Sequence, residues 1–353
     1  MKRTNKFILC ASSLFLLNVS AICADTASTT EDENVLKITL PKVPEAPKAI
    51  VLDVVEPNGK EAPEVTVQEL LPKKEEVTFS DHVAPHPFKY EKFVVNEFSG
   101  LGSVNKGRVA AYLHGSYMKA EDVEANLKKA GFSVLAKYEL DKKGTITSIV
   151  FTDKEMEQNA AKTNRGFAST LRILVDKEEN LLVIPNPIYV MKAFMQEEYD
   201  QKVAEDTLTK LRDSFSDLKE SEEVLKFRVL ERYQFMENMP YYQDMEVIAT
   251  ESNDALLKKA MASKDVVYEQ HLSNGSIILG VELDRRTKKF VKKIGYKNAG
   301  LLPYPVLIED GKAKILDPKY YIAVMYPMLK MSEFMTIATI PGAISKDIDK
   351  IFR

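Results

Sequence analysis

The apolar residues between positions 108 and 195 follow two spacings, one typical of helices and one of strands. Ala120, Val123, Leu127 and Ala130 recur at the three-four spacing of a helix face, and Gly131 follows them as a helix end. Apolar and polar residues then alternate along residues 134–140, as on a half-buried strand. The same criteria predict a strand at 108–117, a helix at 119–130, strands at 134–140 and 146–152, a short helix at 154–162, strands at 170–175 and 181–184, and a helix opened by Pro187.

The rest of the chain repeats this order about 130 residues later. Residues 125–130, Ala-Asn-Leu-Lys-Lys-Ala, return as residues 255–260, Ala-Leu-Leu-Lys-Lys-Ala. A repeat of this length predicts a duplicated domain, because the units of a solenoid have about 20 to 50 residues. The second set of predicted elements is a strand at 241–249, a helix at 253–260, strands at 266–272 and 277–283, a helix at 285–294, a hairpin across 309–312 and a helix opened by Pro318.

The predicted fold class is therefore α+β, with two tandem copies of a unit that runs strand, helix, four strands, helix. The copies occupy residues 88–195 and 224–353, and we expect antiparallel sheets with the helices packed on one face. Between them, residues 196–223 carry ten acidic and four basic residues. Leu208, Leu211 and Phe215 keep a helical spacing there, which predicts a connecting helix that packs across both copies. Homodimerisation through the same apolar stripe is the alternative.

The end of the second copy resembles a known family. The residues that carry the resemblance are Leu302-Pro303-Tyr304-Pro305-Val306-Leu307-Ile308-Glu309-Asp310-Gly311-Lys312, followed by Ile315-Leu316-Asp317-Pro318. They are similar to the closing signature of the bacterial and archaeal Domain of Unknown Function 302 family, some members of which occur in tandem. The first copy departs from it, with Leu171-Arg172 near the place of Leu-Pro and Glu178-Glu179-Asn180 at the place of Asp-Gly. The resemblance implies a TATA-binding-protein-like sheet, and it brings no catalytic residues because the family has no established activity.

The first 24 residues have the pattern of a secretory signal peptide. Three basic residues precede an apolar stretch at 7–19, and small residues follow, ending at Ala24. The apolar stretch is shorter than the roughly 17 to 25 residues that a spanning helix needs. We therefore expect cleavage after Ala24, or alternatively after Ala21, and a soluble protein exported into a periplasm. Lipidation of Cys23 is a further alternative, against which stands the large Ile22 before it.

Residues 25–87 hold eight of the 16 prolines of the chain. Such a stretch favours extended conformations and cannot form a core, so it predicts a disordered or semi-rigid spacer. A recognition arm for a periplasmic protein is the alternative. Removal of the three basic residues of the signal leaves 46 basic against 52 acidic residues, a formal net charge of −6. This charge argues against a nucleic-acid partner, because nucleic-acid binders present a basic face and usually a basic total.

Few residues offer catalytic or metal-binding chemistry. Both cysteines lie in the predicted signal, so the mature chain has no disulfide and no thiol nucleophile. Prolines beside His82 and His86 prevent the helix that would place both on one face. His114 and His271 stand on predicted strands, without a histidine at the matching place of the other copy. The sequence has no Gly-x-Ser-x-Gly elbow, phosphate-cradling loop, dinucleotide fingerprint or His-Glu-x-x-His helix. This favours a protein without enzymatic activity or cofactor; an enzyme of unidentified class is the remaining alternative.

The pairs Tyr138-Glu139 and Tyr268-Glu269 are the candidate ligand-binding residues. Neighbours on a strand point to opposite faces, so one residue of each pair can line a groove while the other meets solvent. The alternative interpretation is a core tyrosine beside a solvated glutamate. Apolar grooves with a few polar groups are the usual sites for small ligands, so we expect a small molecule with apolar and polar parts.

Two further segments carry unusual side chains. The predicted helix 285–294 concentrates cations that can grip anionic lipid or an acidic partner, or simply form a solvated face: Arg285, Arg286, Lys288, Lys289, Lys292 and Lys293. A methionine series on the predicted helix after Pro318 offers thioethers to Cu(I), with core packing as the alternative: Met325, Met328, Met331 and Met335. The sequence thus predicts a non-catalytic periplasmic protein that binds a small ligand or another protein, or alternatively acts at an envelope surface through the cationic helix and the proline-rich arm.

Overall fold

The structure is a computed structural model that describes residues 100–353. The predicted signal peptide, the proline-rich arm, His82 and His86 lie outside the described residues. In chain order the elements are β1 (Arg108–Ala110), β2 (Tyr112–Ser116), α1 (Ala120–Lys129), β3 (Ser133–Glu139), β4 (Ile146–Thr152), α2 (Lys154–Ala160), β5 (Leu171–Asp176), β6 (Leu181–Pro185), α3 (Pro187–Met195), α4 (Gln201–Ser214), β7 (Lys219–Glu220), β8 (Val224–Lys226), α5 (Phe227–Leu230), β9 (Glu246–Thr250), α6 (Asn253–Met261), β10 (Val266–His271), β11 (Ile277–Val281), α7 (Phe290–Ile294), β12 (Tyr304–Glu309), β13 (Lys312–Ile315), α8 (Pro318–Met325), α9 (Met331–Thr336) and α10 (Ile340–Lys350).

Local sequence accounts for where the main helices begin. The Asn186 side chain accepts a hydrogen bond from the Ile188 amide at the start of α3, and a proline takes the first helical position. Asp317 does the same for α8 by accepting from the Lys319 amide, again with a proline next. A short polar side chain followed by proline satisfies one free amide and removes another. The Asn-Pro and Asp-Pro dipeptides therefore fix the same kind of helix start in both parts of the chain.

Two antiparallel sheets form the α+β fold. In the first sheet the strand order is β3-β4-β5-β6-β2-β7, and in the second it is β10-β11-β12-β13-β9. Residues 112–195 are called the first half below, and residues 246–325 the second half. The two halves have the same order of strands and α-helices along the chain and the same order of the corresponding strands in their sheets. The antiparallel sheets and the predicted fold class are confirmed. That the two halves arose as tandem copies stays a prediction.

The two halves contact each other in a reciprocal way. A short 3-10 segment of the first half, Gly166–Ser169, packs on β11 and β12 of the second sheet. A 3-10 segment of the second half, Tyr296–Leu301, packs on β5 and β6 of the first. The approach is close, because a Cβ atom on Gly166 would lie 2.8 Å from Leu307 and 3.0 Å from Ile278. Both sheets consequently bury their central strands on two faces.

Tyrosine hydroxyls join the helix ends of one half to the other. Tyr189 of α3 donates to the Val324 carbonyl in the last turn of α8, at 2.6 Å. Tyr320 of α8 donates in turn to the Ala193 carbonyl near the end of α3, at 3.3 Å. The last carbonyls of a helix have no partner within the helix. The packed pair of α3 and α8 therefore satisfies these groups from the opposite half.

The predicted connecting helix is shorter than its apolar spacing indicated. It begins near the expected place but ends at Ser214 as α4, and Asp217 then adopts a positive φ of 57°. The chain next forms β7, which pairs with β2 at the edge of the first sheet. Leu208, Leu211 and Phe215 are at most 3 % exposed and pack within the core. The helix packs on α1, α2 and α3, so the apolar stripe offers no free face for a homodimer.

Two other predicted helices differ in length. The predicted helix 285–294 begins only at Phe290, and residues 285–289 form turns. A helix that began at 285 would have placed Arg285, Arg286, Lys288 and Lys289 near the positive end of its dipole, which disfavours such a start. The single helix expected after Pro318 ends at Met325, and a separate helix α9 begins at Met331. Pro327 between them cannot continue a helix.

The C-terminal helix α10, which packs on α8 and β9, has no counterpart among the predicted elements. Within residues 100–353, none of the helices has the length and apolar character that crossing a membrane requires.

Candidate ligand-binding cleft

A cleft of about 310 Å³ lies where a loop of the first half meets the second sheet. Three segments supply its walls: the loop after α2, the chain entering β9, and the β12–β13 hairpin. The lining residues are Thr163, Asn164, Gln243, Met245, Val247, Asp310, Lys312 and Lys314. The cleft thus takes residues from parts of the chain that lie far apart in sequence.

The buried residue of the lining, Lys314, forms the floor of the cleft and pairs with Glu309. The Lys314 ammonium lies 2.7 Å from a carboxylate oxygen of Glu309, and the two side chains are 10 % and 6 % exposed. The same ammonium donates to Asn164 Oδ1 at 2.5 Å, while the Asn164 amide donates to both Glu309 oxygens at 3.0 and 3.2 Å. A buried pair of this kind is maintained only when further hydrogen bonds satisfy both charges. Asn164 supplies both hydrogen bonds: its side-chain oxygen accepts from Lys314, and its backbone N–H donates to Glu309.

Asn164 can serve both groups because its backbone is left-handed. Its φ is +60°, a conformation that asparagine tolerates better than most residues. Its carbonyl oxygen accepts a hydrogen bond from the Tyr242 hydroxyl at 2.6 Å. Burial raises the pKa of Tyr242, with the Arg165 guanidinium 5.3 Å from its ring centroid acting in the opposite direction. The phenol is therefore a neutral donor that holds the loop in place.

A second buried polar group braces the wall beside Gln243. The Gln243 side chain donates to Gln196 Oε1 at 3.0 Å, and Gln196 is 1 % exposed. Gln196 has φ +55° and ψ −125°, a backbone region that normally needs glycine and costs about 1–3 kcal/mol. Next to this wall, Arg165 pairs with Glu197 at 2.6 Å, while its buried Nε has no hydrogen-bond partner among the described residues. Strain and an unsatisfied donor therefore occur together at this wall.

The cleft offers charge and apolar surface side by side. Lys312 is exposed at its mouth and forms no ion pair with any described residue, and Asp310 is the exposed acid nearby. Met245 and Val247 give an apolar wall, and Val247 is 51 % exposed. In residues 100–353 no group of three or more His, Cys, Asp or Glu side chains is arranged to hold a metal ion. The lining suits a small ligand that joins a polar or anionic end to an apolar body.

The structure places the predicted Tyr-Glu pairs elsewhere. Tyr138 and Tyr268 are 6 % and 5 % exposed, while Glu139 and Glu269 are exposed, so the predicted alternation of faces is present. Neither tyrosine lines the cleft. Both strands have a register shift, and Tyr268 comes directly after it whereas Tyr138 lies two residues further on. The two tyrosines therefore do not occupy matching places in the two sheets, and their ligand-binding role stays a prediction.

Both hydroxyls already have partners between the halves. Tyr268 accepts from the Arg172 guanidinium at 2.9 Å, and Arg172, which is 4 % exposed, also donates to the Pro303 carbonyl at 3.2 Å. Tyr138 accepts from the Lys288 ammonium at 3.3 Å, and Lys288 pairs with Glu282 at 2.6 Å. Lys288 is thus half-buried and paired, whereas the other five cations of the predicted helix 285–294 are exposed.

The remaining candidates lie apart from the cleft. Met325 is buried at 4 % exposure, Met331 is half-buried, and Met328 and Met335 are 61 % and 62 % exposed, so the series does not share one helix face. The His114 Nε2 atom is buried without a hydrogen-bond partner among the described residues, and burial lowers its pKa. No catalytic or metal-binding motif pointed to the residues that form the cleft, although Asp310 and Lys312 lie in the segment that carries the family resemblance. The nearest signal was the Glu309-Asp310-Gly311-Lys312 hairpin, whose two-residue turn was predicted.

Comparison with known proteins gives no match, whether against protein-family models, curated proteins or solved structures. The resemblance to the Domain of Unknown Function 302 family stays a prediction.

Proposed function

We propose that this chain is a non-catalytic, exported binding protein that takes a small ligand with a polar or anionic end and an apolar body in the cleft. The main support is that Lys312 and the exposed Val247 line the same cleft. Lys312 has no ion-pair partner in the described part of the chain. A ligand carboxylate or phosphate would meet Lys312, and its apolar part would cover Met245 and Val247. Export is supported by the signal-peptide pattern of residues 1–24.

The floor of the cleft supports binding more than catalysis. Lys314 and Glu309 neutralise each other and are held by Asn164. A general acid or base needs a proton that it can exchange with substrate, and in this pair the polar atoms are committed to one another. The pair therefore acts as a rigid, pre-formed base for the ligand, and pre-formed sites lose less free energy to ordering.

Native mass spectrometry of the purified protein, followed by thermal unfolding with the compound found or with a panel of small carboxylates and phosphates, tests the proposal. A ligand at 100 times its Kd stabilises the folded state by about 2.7 kcal/mol, which for a chain of this size corresponds to a rise in Tm of roughly 5–10 °C. Lys312→Glu should abolish the rise. Lys264→Glu, an exposed lysine after α6, is the matched control and should keep it.

Two results would contradict the proposal. One is a protein that carries no bound compound and shows no rise in Tm with any member of the panel. The other is a rise that survives Lys312→Glu unchanged, which would place the ligand at another site.

A further inference from the structure

A second surface, which shares no residue with the cleft, concentrates positive charge around α7. Six exposed cations lie in and around α7 within 13 residues: Arg285, Arg286, Lys289, Lys292, Lys293 and Lys297. We call these six residues the cationic surface. None of them forms an ion pair with a described residue. Two acids that precede this segment in the chain are engaged, since Asp284 pairs with Lys350 and Glu282 pairs with Lys288.

The matching segment of the first half lacks this charge. Helix α2 follows β4 as α7 follows β11, and its exposed residues include Lys154 together with Glu155. Glu155 also pairs with Lys210 at 3.1 Å. The same place in the fold is thus built without a cationic cluster, so the fold does not require one. The charge of the second half needs another explanation than stability, because like charges on one surface repel.

The apolar face of α7 is not available for insertion into a membrane. Phe290 and Val291 are 1 % and 3 % exposed and belong to the core. The apolar side of α7 thus faces the core, and its cations meet the solvent. Any apolar contribution at this surface has to come from a neighbouring element.

Exposed methionines lie close in sequence to residues that contact α7 and its end. Lys293 Nζ lies 3.3 Å from the Thr336 carbonyl at the end of α9, and the Tyr326 hydroxyl donates to the Gly295 carbonyl just after α7 at 3.0 Å. These two contacts hold the residue after α8 and the last residue of α9 against α7 and the glycine that follows it. Met328 in the turn and Met335 next to Thr336 are 61 % and 62 % exposed. We call these two residues the methionine rim.

We propose that the cationic surface and the methionine rim together dock this protein on an anionic lipid membrane. Phosphate head groups supply the negative partners that the six cations lack among the described residues. Thioether side chains are apolar and flexible enough to enter the boundary between head groups and acyl chains. Electrostatic attraction and apolar insertion are two weak signals that anchor a protein reversibly when they act together. The site shares no residue with the cleft, so each can fail without the other.

Vesicle co-sedimentation of the chain from Asp25 onward, the expected mature protein, tests the docking. The wild type should bind vesicles of phosphatidylglycerol and phosphatidylcholine at 50 mM salt, should not bind pure phosphatidylcholine, and should dissociate as salt shortens the Debye length. Each cation near an anionic leaflet changes the partition about fivefold. The quadruple variant with Arg285, Arg286, Lys289 and Lys292 changed to Gln should therefore lose at least about 100-fold.

A matched variant separates local charge from total charge. Lys119, Lys129, Lys258 and Lys264 are exposed, lie on or beside α1 and α6, and form no ion pair with a described residue. Changing these four to Gln gives the same net charge and should leave binding within about fivefold of wild type. The double variant Met328→Ser, Met335→Ser should weaken binding about tenfold, in line with the lost apolar contact, without lowering the Tm.

Three outcomes would overturn the proposal. Binding to neither kind of vesicle removes it outright. Equal losses in the two quadruple variants would show that only net charge matters. Binding to soluble polyglutamate but not to anionic vesicles would assign the surface to an acidic polypeptide instead of a lipid.

Discussion

Removing the cation from the floor of the cleft should destabilise the protein strongly. In Lys314→Met the Glu309 carboxylate, 6 % exposed, stays buried and keeps only the Asn164 amide as a close donor. Breaking a buried ion pair by deleting one partner costs about 3–5 kcal/mol, because the other charge is left uncompensated. The Asn164 amide offsets part of this, so we expect a loss of about 3 kcal/mol in the free energy of unfolding.

Urea unfolding followed by circular dichroism measures this loss. With a slope of about 1–3 kcal/mol/M the midpoint should fall by at least about 1 M. Lys259→Met is the matched control, since Lys259 pairs with Glu251 at the surface, where the side chains are 38 % and 41 % exposed. Exposed pairs contribute about 0–1 kcal/mol, so this midpoint should hardly move.

The double variant Glu309→Gln, Lys314→Met decides whether the uncompensated charge is the cause. With the carboxylate removed, the cost should fall to about 1–2 kcal/mol, because neutral groups bear burial with less loss. The coupling between the two substitutions then exceeds about 1 kcal/mol. A Lys314→Met variant that loses less than about 1 kcal/mol, or a double variant whose loss equals the sum of the two single losses, would contradict the uncompensated charge as the cause.

Three further predictions concern packing, helix ends and pH. Gly280→Ala should lower stability by about 1–3 kcal/mol, because the new Cβ would lie 2.0 Å from the Tyr268 ring; Gly342→Ala, with no atom within 4 Å in α10, should be neutral or slightly stabilising by urea unfolding. Tyr189→Phe should cost about 1–3 kcal/mol, since it leaves the Val324 carbonyl buried without its donor, and thermal unfolding should show a lower Tm. Burial raises the pKa of the core tyrosines, so these phenols stay protonated above pH 10 in the folded chain and ionise in the unfolded chain. The free energy of unfolding should be level up to about pH 9 and should fall above pH 10 by about 1.4 kcal/mol per pH unit for each such tyrosine. Tyrosinate absorbance and circular dichroism recorded together would show this fall.

Helices and strands that are determined by neighbouring residues could be predicted from the sequence. Their ends could be predicted where a capping residue or a turn residue marks them. The strand at 146–152 is present with the predicted bounds, and the helices opened by Pro187 and Pro318 begin where expected. The connecting helix was predicted too long, because the apolar spacing continues past Ser214 while the chain bends at Asp217. The same apolar residues fit a helix or a buried loop, and only tertiary contacts choose between them.

The cleft could not be predicted for a similar reason. Glu309 and Lys314 are five residues apart across a hairpin, but the group that holds both, Asn164, comes from the other half. The left-handed backbone of Asn164 is allowed by its residue type and is not dictated by it. A pattern within one segment therefore gives the alternation of Tyr268 and Glu269, which the structure shows, and gives no information on which loop meets which sheet.

The tyrosine bonds between α3 and α8 bear on how the chain loses its structure. Tyr112, Tyr189 and Tyr233 all donate to the last carbonyls of α8, although none of them belongs to the second half. A second half that separated would expose three acceptors and their donors at once, so it has no low-energy way to open alone. Amide hydrogens of α3 and α8 should accordingly exchange with solvent at one common rate, set by unfolding of the whole assembly of both sheets.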